Sequence, residues 1–388
     1  MTVTIFIVGI ILFLLLIITH ELGHFLAAKR NGVTPEEFGI FFPPALYRRK
    51  MKGGWDFTVN LLPLGGFVKL KGEHDSDTAK GSFGAASDWV KTKIMLAGVV
   101  INLVTALVLF TIVALFGMPK LVDNQFTVAS DTHIVRQETL VGYVAEGSPA
   151  AKTGLQQQDK LISITTQKDR IMLSGEDLPS ITKELAGQTV SITYERAGEV
   201  KTAETTLRSE EVVAASKKTT NPKGYLGVVP QEIVLRRSTW SAPVVAVGLS
   251  AQFTQLTLKG IGTALQGLGG IIAGGLTGNT EARQNAQTEA SSQVSGPLGI
   301  YYVLKGGSAL GALFMLFIIA IIALTLAIMN VLPVPALDGG RLYMMLASRL
   351  TKQKRLTPKM EERIVGASFL LLLGLIVLIT IVDAKRFF

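Results

Sequence analysis

Residues 3–24 read VTIFIVGIILFLLLIITHELGH, and two features of that stretch decide the fold. From Val3 to Thr19 no side chain is charged. Such a run approaches the roughly 20 residues that cross a hydrocarbon core of about 30 Å. His20, Glu21 and His24 then follow on the same predicted helix. A secretory leader would have a basic n-region and a small-residue cleavage site, and neither is present, so this helix is expected to be retained. Three further apolar runs lie downstream, at Ile94–Met118, Leu310–Val331 and Gly366–Val382. The composition agrees. Of 388 residues, 48% are hydrophobic and only 17% charged, against about 25% charged in soluble domains. Mean hydropathy is +0.41. These values exclude a soluble enzyme and a disordered chain. The absence of cysteine excludes disulfide scaffolds and thiolate metal sites. The expected fold class is an α-helical polytopic membrane protein of about four transmembrane helices with an inserted β-rich domain.

In a membrane chain the net charge of +9 reports loop orientation, and no nucleic-acid partner is expected. Residues 29–93 hold 11 Lys and Arg and residues 339–365 hold 7, whereas 118–311 balances 18 against 17 acids. The basic loops should be cytoplasmic. Both termini and 118–311 should face outward. Ser238–Leu258 is uncharged but rich in Ser, Thr and Gln, which predicts a helix lying on the membrane surface. Within 127–230, short β-branched runs (Leu140–Val144, Lys160–Thr166, Thr189–Tyr194) alternate with Gly, Ser, Asp and Pro, as in a small β domain. Thr277–Pro297 reads as a linker. No internal repeat is evident.

His20-Glu21-Leu22-Gly23-His24 is an H-E-x-x-H pattern. Positions i and i+4 share one helical face, so both imidazoles can reach one ion, with Glu21 beside the first as a general base for metal-bound water. Ionisable groups at the end of a membrane helix are costly and usually functional. Hydrolytic zinc takes three protein ligands. His74 and His133 are predicted in loops, and the acids in or bordering the later spans are Asp338, Glu361, Glu362 and Asp383. Asp338 stands out among them. It follows the third span in Asn330-Val331-Leu332-Pro333-Val334-Pro335-Ala336-Leu337-Asp338-Gly339-Gly340. There two prolines break the helix and two glycines permit close backbone approach. Depth supports the choice. His20 lies roughly 27 Å along its helix, toward the cytoplasmic side, and with four spans the third helix carries Asp338 to the same side.

These residues together resemble the site-2 protease family of intramembrane zinc metalloproteases, closest to its bacterial regulator-of-sigma-E-protease branch with a PDZ domain. His20–His24 resembles the family's first motif and Asn330–Gly340 its N-x-x-P-x-P-x-L-D-G-G. Leu62–Leu70 resembles its P-L-G-G-[YF]-V-K loop, and Ser295–Ile300 its S-G-P-[VLI]-G-I motif. The resemblance implies one zinc per chain on His20, His24 and Asp338, Glu21 as general base, and Asn330 as a substrate contact. The partly alternating apolar side chains Trp55, Phe57, Val59, Leu61, Phe67 and Leu70, with Pro63 and Gly65-Gly66 at the bend, predict that residues 55–71 form a β-hairpin or loop dipping into the membrane near the zinc, and the resemblance implies that it binds substrate. Gly65, Gly66, Phe67, Val68, Lys69 and Leu70 would there hold an extended substrate. Gly147-Ser148-Pro149-Ala150 through Leu161 is similar to the PDZ run G-S-P-A-x-x-x-G-L-x-x-x-D-x-[IL], except that Gln158 stands where Gly usually precedes the Asp. Tyr225, Leu226, Gly227 and Val228 resemble a PDZ carboxylate-binding loop for peptide carboxyl termini. Many close relatives carry two PDZ domains, and the space here fits one.

The organisation expected is then a first span with the metal motif at 1–29, a cytoplasmic membrane-associated loop with the hairpin at 30–93, and a second span at 94–118. An extracytoplasmic PDZ-like domain follows at 127–230, then a surface helix and linker at 231–309. The third span and its broken segment occupy 310–340, a cytoplasmic segment 341–365 and the fourth span 366–383. The implied function is intramembrane proteolysis of single-span proteins, such as anti-sigma factors or remnant signal peptides, in a bacterial inner membrane. Two alternatives from other classes are an ion-coupled transporter, which leaves H-E-x-x-H unexplained, and an inactive PDZ scaffold, which would not need Glu21.

Overall fold

The computed structural model describes residues 2–73, 77–174, 177–196, 198–217, 219, 222–277, 296–350 and 357–387. Two compact units divide the chain: residues 1–116, 126–128 and 240–388 form a helical unit, and residues 117–125 and 129–239 a β unit. Among the described residues, four helices are long and apolar enough to cross a membrane: Thr2–Arg30, Asp88–Phe116, Ala312–Val331 and the stretch Lys359–Ala384.

Helix α1 (Thr2–Arg30) carries Lys29 and Arg30 in its last turn, where cations complement the helix dipole. It stops at Gly32, whose φ of +78° suits glycine, while Val33 N–H returns to the Ala28 carbonyl. Strands β1 (Pro35–Lys50) and β2 (Asp56–Leu70) follow and pair antiparallel. The strand partner of 56–70 is thus the preceding segment 35–50, so residues 55–71 are not a hairpin by themselves. β2 bends, so that Gly39 has Thr58 as one partner and Phe67 as another. Val33, Leu70 and Phe83 pack with Ala28 of α1 and Ile94 and Met95 of the next helix, anchoring the element to the spans. Helix α2 (Asp88–Phe116) crosses α1 where Gly23 lies against the Ala97 carbonyl; an added Cβ there would approach that oxygen to 2.9 Å. Small residues at helix crossings are how membrane helices approach closely.

The β unit is a seven-stranded antiparallel sheet with order β3-β9-β4-β5-β7-β8 and β6 on β5. Its strands are β3 (Met118–Pro119), β4 (His133–Val144), β5 (Lys160–Thr165), β6 (Arg170–Met172), β7 (Thr189–Arg196), β8 (Glu199–Thr206) and β9 (Val228–Arg237), with short helices α3 (Pro149–Lys152), α4 (Leu178–Glu184) and α5 (Glu210–Ser216) between them. Period-two alternation turns Val190, Ile192 and Tyr194 inward onto Val141, Leu161 and Ile164. Each such aliphatic burial is worth about 1.5–3 kcal/mol. The unit extends beyond the 127–230 expected, because β9 continues to Arg237 and pairs with β4 along its length. His133 opens β4 and is not in a loop. Gln158 adopts φ +72°, a left-handed conformation, at the position where the motif usually has glycine.

The chain returns to the helical unit through α6 (Ala242–Thr277), far longer than the helix expected over 238–258. Its Phe253 packs between Phe110 of α2 and Phe317 of the third span, with ring centroids 6.1 Å from each. Residues 278–295, which hold most of the expected linker and Ser295, lie outside the described residues. Helix α7 (Pro297–Leu310) precedes the third span, α8 (Ala312–Val331); a turn then leads to α9 (Asp338–Leu350) and the fourth span, α10 (Pro358–Phe387).

Candidate metal centre

His20 and His24 lie one turn apart on α1, both buried, with their rings edge to face. Their Nε2 atoms are 3.2 Å apart, and Asp338 Oδ2 is 3.2 Å from each. Three donor atoms therefore form a nearly equilateral triangle. Two ligands at about 2.0 Å from a tetrahedral ion are separated by about 3.3 Å, so this triangle matches one face of a zinc coordination tetrahedron. Asp338 Oδ2 is buried and makes no hydrogen bond, so its lone pairs are left facing the two imidazole nitrogens.

The local sequence explains how Asp338 arrives there. Helix α8 ends at Val331, and the prolines at 333 and 335 forbid its continuation. The chain folds back so tightly that a Cβ on Gly339 would collide with the Val331 carbonyl and one on Gly340 with the Val334 carbonyl. Ser368 Oγ on α10 accepts from Ala336 N–H and braces the turn.

Helix α2 supplies the setting of the histidines. The Ile94 carbonyl lies 2.7 Å from His24 Nδ1, so that nitrogen donates and Nε2 is left to face the other two ligands. A methyl on Gly98 would overlap both imidazoles. Buried Asn102 places its amide nitrogen 3.1 Å from His20 Nδ1, while its Oδ1 has no hydrogen-bond partner. Sequence reading missed Ile94, Gly98 and Asn102. The available signal was a glycine and an asparagine four apart inside an uncharged span, where a polar side chain is costly.

Glu21 faces the β element. It shares a cleft with Ile17, Ile40, Gly65 and Gly66, and a Cβ on Gly66 would come within 2.9 Å of its Cγ. The other expected hairpin residues diverge. Phe67 covers Gly39, Val68 packs against the apolar cluster, Lys69 pairs with Glu36 at 3.4 Å, and Leu70 is buried. Asn330 sits half-buried in the last turn of α8.

Among the described residues, His20, His24 and Asp338 form the group of ligand-type side chains close enough to share an ion. Asp383 is not part of it: its Oδ2 accepts the backbone N–H groups of Gly296 and Gly299 at the start of α7. His74 lies outside the described residues. In the β unit, Gly227 (φ +81°) lies against Ser148, so the 147–150 and 225–228 segments meet at the start of β9.

The sequence profile of peptidase family M50 matches residues 8–375. Curated relatives provisionally named zinc metalloproteases match almost end to end. One from Clostridium perfringens is 28% identical, covering 97% of each chain. One from Clostridium acetobutylicum is 29% identical over 97% of this chain and 96% of its own. One from Campylobacter jejuni is 28% identical over 98% and 93%.

Proposed function

The chain belongs to peptidase family M50, the site-2 protease family, and from that premise we propose that it is an intramembrane zinc metalloprotease cleaving the transmembrane segments of single-span membrane proteins. The observation that carries this reading is the 3.2 Å triangle of His20, His24 and Asp338 with Glu21 beside it. Zinc, when bound by these three residues, is a Lewis acid that makes water nucleophilic near neutral pH. Glu21 takes the proton of the attacking water and returns it to the leaving amine. Glu21 shares a closely packed cleft with Gly65 and Gly66, which brings the backbone of that strand next to the general base.

A transmembrane helix hides its peptide bonds in internal hydrogen bonds and must unwind before water can attack. The segment Gly66–Leu70 pairs with Pro35–Ile40, and among the described residues no other strand pairs with it. Its open edge suits β-addition of an unwound substrate. Because Leu70 and Val68 pack inward, backbone groups of this segment and the glycines carry that role, with Asn330 as a further substrate contact. The β unit is read as a PDZ-like module that filters substrates, with Tyr225, Leu226, Gly227 and Val228 as a site for peptide carboxyl termini. The lysine and arginine distribution supports an orientation with both termini and the β unit outside, and the proposed location is a bacterial inner membrane. Anti-sigma factors and remnant signal peptides are the substrate classes that fit.

The test is Glu21→Gln in cells co-expressing a tagged single-span substrate. Cleavage is expected to fall by about 10²–10⁴-fold while the protein keeps its zinc. Cleavage at the wild-type rate would remove Glu21 from the mechanism.

A further inference from the structure

Ile94, Gly98 and Asn102 fall at successive four-residue steps of α2 and so share one face of that helix. All three meet the histidine pair: the Ile94 carbonyl at His24 Nδ1, the bare Gly98 against both rings, and the Asn102 amide at His20 Nδ1. For His24 the chemistry is closed. A carbonyl can only accept, so Nδ1 carries the proton and Nε2 is free as a ligand. For His20 it depends on which atom of a carboxamide faces the ring. An amide nitrogen there would donate to Nδ1, which forces the imidazole proton onto Nε2 and points an N–H into the middle of the ligand triangle. A carboxamide oxygen would accept from Nδ1 and leave the Nε2 lone pair for the ion. The two ends of an amide have nearly the same shape, and the choice between them follows from the hydrogen bonds made. Asn102 Oδ1 has no partner where it stands, so nothing holds the amide in the first orientation on that side.

We propose that Asn102 is a positioning residue for the metal, its carboxamide oxygen accepting the Nδ1–H of His20 and thereby fixing the tautomer in which Nε2 ligates. α2 thus orients both histidine ligands, one through its main chain and one through a side chain two turns further on. This inference rests on the metal reading of His20, His24 and Asp338.

The test measures zinc affinity of the purified full-length protein by competition with a chelator, for the wild type, Asn102→Asp and Asn102→Leu. A carboxylate can only accept, whereas leucine keeps the volume and removes the acceptor. Asn102→Leu is expected to bind zinc about 10–100-fold more weakly, and Asn102→Asp to stay within about threefold of the wild type or bind more tightly. Wild-type affinity in Asn102→Leu, or a loss in Asn102→Asp as large as in Asn102→Leu, would overturn the proposal. A wild type that binds no zinc would overturn the metal reading beneath it. A measurement on the wild type alone decides the matter if Asn102→Leu does not fold. The chain has four histidines, so ¹⁵N-histidine spectra of the zinc-loaded protein can be assigned by substituting His74 and His133. Protonated Nδ1 on both ligating rings supports the assignment, and an Nε2–H signal from His20 refutes it.

Discussion

Asp159 in the β unit is a buried carboxylate, Asp338 in the helical unit a half-buried one with its Oδ2 out of water, and their surroundings differ. Asp159 accepts from Arg196 through both oxygens, at 2.7 and 2.6 Å, and from Gln156 N–H at 2.7 Å. Both of its oxygens are paired. Asp338 keeps a buried oxygen with no hydrogen bond, 3.2 Å from two imidazole nitrogens. A buried acid whose partners are complete is part of the architecture. One whose unpaired oxygen faces two imidazole nitrogens at equal distance has the arrangement of a ligand set. Asp383, in the same unit as Asp338, belongs to the first kind, with Gly296 and Gly299 N–H as its donors.

The comparison can be broken first at Gly98. If the metal site is what the helical unit organises, Gly98→Ala should push a methyl into both histidine rings and lower zinc affinity by more than about 100-fold, with helix content unchanged by circular dichroism. Full zinc loading in Gly98→Ala would mean that α2 does not set the ligands. A smaller effect is expected at the complete acid. Asp159→Ala leaves the Arg196 guanidinium and Gln156 N–H without their acceptor. It should lower the unfolding midpoint of the β unit by roughly 10 °C, followed by calorimetry on the full-length protein, while zinc content stays at the wild-type level. Loss of zinc in that variant would erase the distinction between the two aspartates.

The parts of this arrangement that sequence reveals are those with a local signature. The charge-free run Val3–Thr19 and the His20–His24 spacing announce a span carrying two ligands on one face. The prolines at 333 and 335 and the glycines at 339 and 340 announce a break that can deliver Asp338. What sequence did not reveal depends on tertiary packing. The Ile94 carbonyl has no side-chain signature at all, and Gly98 in an apolar span reads as ordinary helix packing. Strand β1 has no clear signature in the sequence, because Pro43-Pro44 and the charged end Arg48-Arg49-Lys50 obscure alternation and only pairing with β2 makes it a strand. The glycines from 260 to 275 hid the length of α6, which is held by packing such as that of Phe253 against Phe110 and Phe317.

The central claim is that the incomplete acid is a metal ligand, and Asp338→Asn tests it most directly, since it keeps the shape and removes the charge. Metal analysis of the purified full-length proteins should give one zinc per chain in the wild type and close to none in Asp338→Asn, with unchanged helix content. One zinc per chain retained in a folded Asp338→Asn protein would contradict the account.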